Sequence, residues 1–286
     1  MKRGGEAFMQ AGTLYLVPTP IGNLEDMTYR AVRTLQEVDL ICAEDTRQTV
    51  KLLNHFTITT KMISLHEHNE RTRSEQLLAD LHNGKSLALV SDAGTPLVSD
   101  PGEWFVQKCI EEGITVTPLP GANAAVTTWI ASGFEGGRFY FHGFLPRKKK
   151  EIEEVQQLLE AITVPMIFYE SPHRMKQTLE RLQGLWGDRR MVIGREVTKR
   201  YESFYRGTIT ELVDLDHEWR GELCFIVEGG MGKDQTEAWW QSYTVQEHIQ
   251  YYEEQGDDHK KALKQCAKDR GLSRNEVYKA FHELQQ

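Results

Sequence analysis

The stretch ALVSDAGTPLVSDPG, residues 88–102, sets two kinds of residue against each other. Ala88 to Val90 read as the end of a buried strand. The chain then breaks over Ser91, Asp92, Ala93, Gly94, Thr95 and Pro96, and breaks again at Asp100, Pro101 and Gly102. A plain strand-to-helix turn needs one glycine or one cap. So elaborate a loop, with a carboxylate at its first bend, reads as a wall built for a ligand. The surrounding text fixes the fold class. From Thr13 onward short apolar runs (TLYLVP, DLICA, KMISL, SLALV, ITVTP) alternate with amphipathic helical segments such as RSEQLLADLHNG and EWFVQKCIEEG. That alternation predicts an α/β domain with a mainly parallel sheet covered on both faces.

The pattern changes after the small-residue helix GANAAVTTWIAS. RFYFHGF and PMIFYE are strands separated by a helix, and RMVIGREV, ESFYRGT and ELCFIVEG follow with little helix between the first two. Consecutive strands predict a mixed sheet. Near the end, TVQE (244–247) and SRNE (273–276) are capping boxes that open helices, and Gly271 stops the helix between them. The expected organisation is a loose tail over 1–12, an N-terminal α/β domain over 13–121, a C-terminal α/β domain over 122–230, a linker over 231–243, and a helix-turn-helix-like module over 244–286.

The chain is 286 residues long, 40% apolar and 27% charged, which suits a globular protein with two cores. No apolar stretch is long enough for a membrane span, and the N-terminal tail has no signal-peptide core. Cys42, Cys109, Cys224 and Cys266 share no metal or redox spacing, so reduced thiols and a cytoplasmic location are expected. The net charge of −8 argues against a protein that coats nucleic acid. Positive charge is nevertheless clustered at Arg147–Lys150 and over Lys260–Lys279, and local patches bind phosphate on acidic proteins.

Three motifs fail as sites. GKS at 84–86 lacks the first glycine of a P-loop and precedes a strand instead of following one. No Gly-x-Gly-x-x-Gly occurs, so a dinucleotide site is unsupported. HEHNE (66–70) has no third metal ligand at recognisable spacing and reads as a solvated loop or a substrate contact; no metal is expected. The signal lies in four loops at strand carboxyl ends: VPTPIGNL (17–24), AEDTR (43–47), SDAGTP (91–96) and PLPGANAA (118–125). Ligands collect at that edge of a parallel sheet. None of these loops cradles phosphate, so a ligand with amine, hydroxyl and purine groups fits better than a nucleoside triphosphate.

LYLVPTPIGNLEDMTYRA, AEDTR, ALVSDAGTPLVSDPG, PLPGANAA, FYESPHR and GELCFIVEG, in this order, closely resemble the ribosomal RNA branch of the tetrapyrrole-methylase-like superfamily of S-adenosylmethionine enzymes. The resemblance covers about Thr13 to Gly230. It implies two α/β domains with the cofactor in the cleft between them, a homodimer, and methylation of a cytidine ribose 2′-hydroxyl in the decoding region of 16S rRNA in the small ribosomal subunit. The corrin branch has a Gly-x-Gly-x-Gly loop where this chain has Pro18 to Gly22, and a Gly-Asp-Pro where it has Ser91 to Pro96. Both departures match the ribosomal branch. The resemblance implies cofactor contacts from Ile21, Asp92, Gly94, Thr95, Pro96, Gly121, Ala122, Asn123 and Tyr169, with S-adenosylhomocysteine as the product.

A ribose hydroxyl is a weak nucleophile, and a carboxylate that accepts its proton speeds transfer. Asp45 and Glu170 are the candidate bases; a strand-end ion pair for Asp45 and a helix-start carboxylate for Glu170 are the structural alternatives. Arg47, Arg147, Lys148, Arg174, Lys268, Arg274 and Lys279 are the candidate RNA contacts. Two other functions stay open: a methyltransferase of the same fold acting on a small molecule, and a non-catalytic helix-turn-helix regulator.

Overall fold

The computed structural model describes residues 11–215, 217–230, 240 and 243–283. The expected tail at 1–12 lies outside this set apart from Ala11 and Gly12, and so does most of the expected linker. The chain divides into two compact units, one up to Gly229 and one from Gly230.

The first unit is built on two five-stranded sheets. In the first sheet β1 (Thr13–Leu16), β2 (Leu40–Ala43), β3 (Met62–Ser64), β4 (Leu87–Val90) and β5 (Thr115–Pro118) lie in the order β3-β2-β4-β1-β5, every pair parallel. The quoted stretch thus begins in the central strand, β4, which is why all four residues of LALV are buried. Their side chains alternate between faces. Leu87 and Leu89 join Leu77, Leu81 and Phe105 from α3 (Glu70–His82) and α4 (Glu103–Glu111) in one core. Ala88 and Val90 join Ala31, Leu35 and Leu53 from α1 (Tyr29–Glu37) and α2 (Thr46–His55) in the other.

The second sheet contains β6 (Tyr140–Phe144), β7 (Met166–Glu170), β8 (Arg190–Arg195), β9 (Ser203–Thr208) and β10 (Leu223–Val227) in the order β6-β7-β10-β8-β9. Only β6 and β7 pair in parallel. The last strand in sequence occupies the middle of the sheet, and every residue of LCFIV is buried. One face packs Phe168 on Phe225, ring centroids 4.9 Å apart, under α7 (Pro172–Trp186) and α6 (Lys149–Glu160). The other face packs Ile167, Cys224 and Ile226 against Ala125 of α5 (Ala124–Ile130). A short helix absent from the sequence reading, α8 (Ile209–Asp214), follows β9, and the Thr208–Glu211 capping box starts it.

The second unit has three helices: α9 (Val245–Glu254), α10 (His259–Asp269) and α11 (Arg274–Glu283). Thr244 and Glu247 form the expected capping box, and Ser273 and Glu276 exchange the same two bonds at 2.7 and 3.3 Å. Ile249, Ala262, Cys266, Ala267 and Val277 form its small core. Among the described residues no helix is long and apolar enough to cross a membrane.

Candidate active site

Parallel strands deliver their following loops to one edge. The β1 and β4 loops meet there as a two-bond bridge: Thr19 N–H donates to Gly94 O at 2.9 Å, and Gly94 N–H donates to Thr19 O at 3.0 Å. Gly94 takes φ +87°, and a Cβ on it would stand 3.0 Å from Ile21 Cγ2. Glycine is therefore required twice over, by backbone conformation and by space. Thr95 Oγ1 donates to Ala122 O at 3.0 Å and ties the β4 loop to the β5 loop. Asp92 Oδ1 accepts from Asp45 N–H at 3.0 Å and ties it to the β2 loop. The four loops read separately in the sequence are one bonded wall. Gly94→Ala is expected to strain that wall by about 1 kcal/mol and push Ile21 inward; thermal unfolding together with ligand titration would show it.

The wall encloses a cavity of about 420 Å³ that extends to the second sheet. Ile21, Asp92, Gly94, Thr95 and Asn123 line it from the first sheet's loops, and Tyr169 lines it from the end of β7. Pro96, Gly121 and Ala122 are absent from the lining and stand behind it. Pro96 is buried, Gly121 fits against Pro18 so closely that a Cβ would lie 2.5 Å from it, and Ala122 presents its carbonyl to Thr95. Asn123 also caps α5 by accepting from Val126 N–H at 3.1 Å. Tyr169 packs edge-on against Phe141 and Phe144, and burial pushes its phenol well above the ordinary range.

The lining has five carboxylate residues, Glu44, Asp92, Asp100, Glu170 and Glu222, and among the described residues no lysine or arginine. Such a set of acceptors suits a ligand that carries positive charge and disfavours phosphate. The sequence reading missed Glu44, Asp100 and Glu222. Glu44 and Asp100 stood inside quoted loops, but a loop's sequence does not say which way its side chains face.

The two candidate bases have other partners. Asp45 is absent from the lining. It caps α2, accepts from Arg47 N–H at 2.9 Å, and forms a fork with the Arg47 guanidinium at 3.0 and 2.7 Å. Those bonds hold its carboxyl down at about 2, too weakly basic to draw a proton from a hydroxyl efficiently. Glu170 is buried and accepts from Ser171 N–H at 2.8 Å and Thr178 Oγ1 at 2.7 Å, with Arg174 Nε at 3.5 Å. Arg174 also donates to the carbonyls of Leu145 and Pro146 at 3.1 and 3.2 Å, so it braces the chain after β6. Arg47, Arg147 and Lys148 are exposed, the last paired with Glu151 at 3.0 Å. In the helical unit Lys268, Arg274 and Lys279 are exposed.

The sequence profile described as Tetrapyrrole (Corrin/Porphyrin) Methylases matches residues 13–213. A Halalkalibacterium halodurans protein named ribosomal RNA small subunit methyltransferase I is 51% identical over 95% of this chain and 95% of its own length. The Bacillus subtilis protein of the same name is 48% identical over 95% and 94%. Among solved structures, a diphthine synthase shares the fold with a TM-score of 0.58 at 13% identity, covering 76% of this chain and 90% of its own. A Thermus thermophilus uroporphyrin-III C-methyltransferase, solved in complex with S-adenosylhomocysteine, has a TM-score of 0.55 at 16% identity, covering 76% and 97%. The solved neighbours share this chain's fold, and by the profile match and the relatives' identity this chain belongs to the tetrapyrrole (corrin/porphyrin) methylase family, alongside the ribosomal RNA small subunit methyltransferase I proteins.

Proposed function

We propose that this chain is an S-adenosylmethionine-dependent methyltransferase of small-subunit ribosomal RNA, and that its target is the ribose 2′-hydroxyl of a cytidine in the decoding region of 16S rRNA. The observation that carries the first half is the acidic cavity at the carboxyl edge of the parallel sheet, which holds no cation among its described lining residues. S-adenosylmethionine supplies an electrophilic methyl group on a positively charged sulfur, and its bulk suits a 420 Å³ cavity. Ile21, Gly94, Thr95, Asn123 and Tyr169 shape the walls that would fix its orientation, and Asp92 offers its second carboxylate oxygen to a hydroxyl or amine. The names of the relatives support the RNA substrate. The ribose position rests on the sequence resemblance. Two copies of the chain acting as a homodimer in the cytoplasm, without a metal, complete the reading.

The residues do two kinds of work. Holding a hydroxyl oxygen in line with a carbon–sulfur bond at near-attack distance lowers the barrier by several kcal/mol. The exposed basic side chains Arg47, Arg147, Lys148, Lys268, Arg274 and Lys279 would grip phosphate and leave choice of base to the cavity; Arg174 is the weakest candidate because its guanidinium is already bonded inside the fold. The test is incubation with labelled S-adenosylmethionine and small ribosomal subunits, with ribose methylation mapped by mass spectrometry. Label on the RNA base, on a small molecule, or nowhere would refute the ribose reading.

The helical unit carries its own prediction. Lys260, Lys261, Lys264, Lys268, Arg274 and Lys279 are all exposed on it, on a chain whose net charge is −8. Truncation after Gly230 is expected to leave cofactor affinity unchanged. It should weaken binding to the ribosomal subunit and flatten its salt dependence by about one unit of slope per lost phosphate contact. An unchanged slope would make the unit a structural cap.

A further inference from the structure

The proposed substrate is a polyanion, yet the cavity that would receive its ribose is lined by five carboxylate residues. A backbone phosphate must then be held outside the cavity, within a nucleotide's reach of its mouth. Several cations near that mouth are already engaged. Lys199 pairs with Glu196 at 2.9 Å and with Glu222 at 3.0 Å. Arg174 is bonded to the carbonyls of Leu145 and Pro146. Arg195 donates to the carbonyls of Arg220 and Tyr201 at 2.8 and 3.3 Å. Lys176 differs. It is exposed on α7 and, among the described residues, makes no hydrogen bond or ion pair.

Lys176 borders a groove of about 530 Å³. Pro172 and Gly221 line both this groove and the cavity, so the groove starts where the cavity ends. Its floor is Trp219, buried against Tyr205 and His217 with ring centroids 5.1 and 4.8 Å away. Tyr205 Oη and His217 Nε2 share a hydrogen bond at 3.2 Å, which holds the imidazole in place. The rim has Lys176 on the α7 side and Arg220 on the loop before β10. That loop is braced from behind: Arg195 Nε holds the Arg220 carbonyl, and Glu196 accepts from Glu222 N–H at 2.9 Å. The Arg220 backbone is thereby fixed while its guanidinium stays exposed, in a surface pair with Glu218 at 2.8 Å. Exposed pairs of this kind are weak and yield readily to a stronger anion.

The sign of the charge changes across Pro172 and Gly221. On the cavity side stand carboxylates and, among the described residues, no lysine or arginine; on the groove side stand Lys176 and Arg220 against one carboxylate, Glu218. We propose that this groove seats the RNA strand beside the target nucleotide, with Lys176 and Arg220 holding a backbone phosphate while the ribose enters the cavity. The assignment rests on the methyltransferase reading above and adds to it the place where the strand is gripped. A lysine ammonium is a point charge on a flexible stem and meets a phosphate from several directions, while the guanidinium of Arg220 offers a fork to the same group. Phosphate contacts of this kind set the register of the strand and leave the chemistry to the cavity.

The test compares full-length wild type with Lys176→Gln, Lys176→Arg and the double variant Lys176→Gln/Arg220→Gln, using small ribosomal subunits as the probe. Lys176→Gln is expected to raise the KM for subunits about tenfold at low salt, with kcat changed less than about twofold. Its subunit binding should lose about one unit of salt slope, and the double variant about two. Lys176→Arg keeps the charge and should stay within about threefold of wild type. The dissociation constant for S-adenosylhomocysteine should move less than about twofold in all three. Both side chains are exposed, so melting points should stay within about 2 °C of wild type.

An unchanged KM and salt slope in Lys176→Gln and the double variant overturns the assignment. Loss of S-adenosylhomocysteine affinity by tenfold or more also overturns it and makes the groove part of the cofactor site. Lys176→Arg as impaired as Lys176→Gln overturns it as well, because shape and not charge would then be what matters. If the wild-type protein binds no subunit and transfers no methyl group to RNA, the underlying reading falls and takes the groove with it, a result distinct from the other three.

Discussion

Asp92→Ala is expected to weaken S-adenosylmethionine binding at least tenfold while the protein stays folded. Asp92 is exposed to the cavity and spends Oδ1 on the Asp45 amide, which leaves Oδ2 for the ligand. A charge-assisted hydrogen bond from a ligand hydroxyl or amine contributes about 1.5–3 kcal/mol, and the tenfold floor corresponds to about 1.4 kcal/mol. The substitution also frees the Asp45 amide and loosens the link between the β2 and β4 loops, so ligand affinity should suffer more than stability. The Asp92 side chain is bonded to one backbone N–H at the surface, and losing that bond costs about 1 kcal/mol. Calorimetry that gives unchanged affinity would remove Asp92 from the ligand site; a collapse in melting temperature would show that its main work is joining the two loops.

The alternation of short apolar runs with amphipathic helices made the parallel sheet legible, because period and length are local properties of the chain. The capping boxes at Thr244 and Ser273 were legible for the same reason. The position of β10 was not. LCFIV reads as a buried strand, but its insertion between β7 and β8 depends on long-range pairings, Val227 with Met166 on one side and with Met191 on the other. The site divides along the same line. Gly94 and Thr95 stand out as loop residues in any reading, and the structure shows what they touch. Asp45 and Glu170 stand out because they are carboxylates at strand ends, yet only tertiary geometry shows that Arg47 occupies one and that Thr178, Ser171 and Arg174 occupy the other. Asp100 is hidden in sequence because Asp-Pro-Gly is ordinary turn chemistry. Its place in the cavity lining depends on how the loop folds between the two sheets, which the local sequence does not fix.

Glu170→Gln is expected to destabilise the protein by about 2–4 kcal/mol, the cost of breaking a buried, fully bonded charge. The Glu170 carboxylate joins the end of β7 to the first turns of α7, and its side chain is 0% exposed. Glutamine offers one acceptor oxygen where three donors converge. Its amide NH2 would face either the Ser171 N–H or the Thr178 hydroxyl, and Arg174 would lose the charge beside it. Each kcal/mol is worth roughly 2–4 °C of melting temperature for a chain of this size, so a fall of about 4–16 °C is expected. Turnover measured at low temperature, where the variant is folded, should stay within about tenfold of wild type, because the carboxylate acts on the fold and not on the substrate. The opposite pattern, an unchanged melting point with turnover reduced a hundredfold or more, would restore Glu170 as the base. A carboxylate that holds Ser171, Thr178 and Arg174 inside the fold, with its own side chain unexposed, works on the junction of β7 and α7.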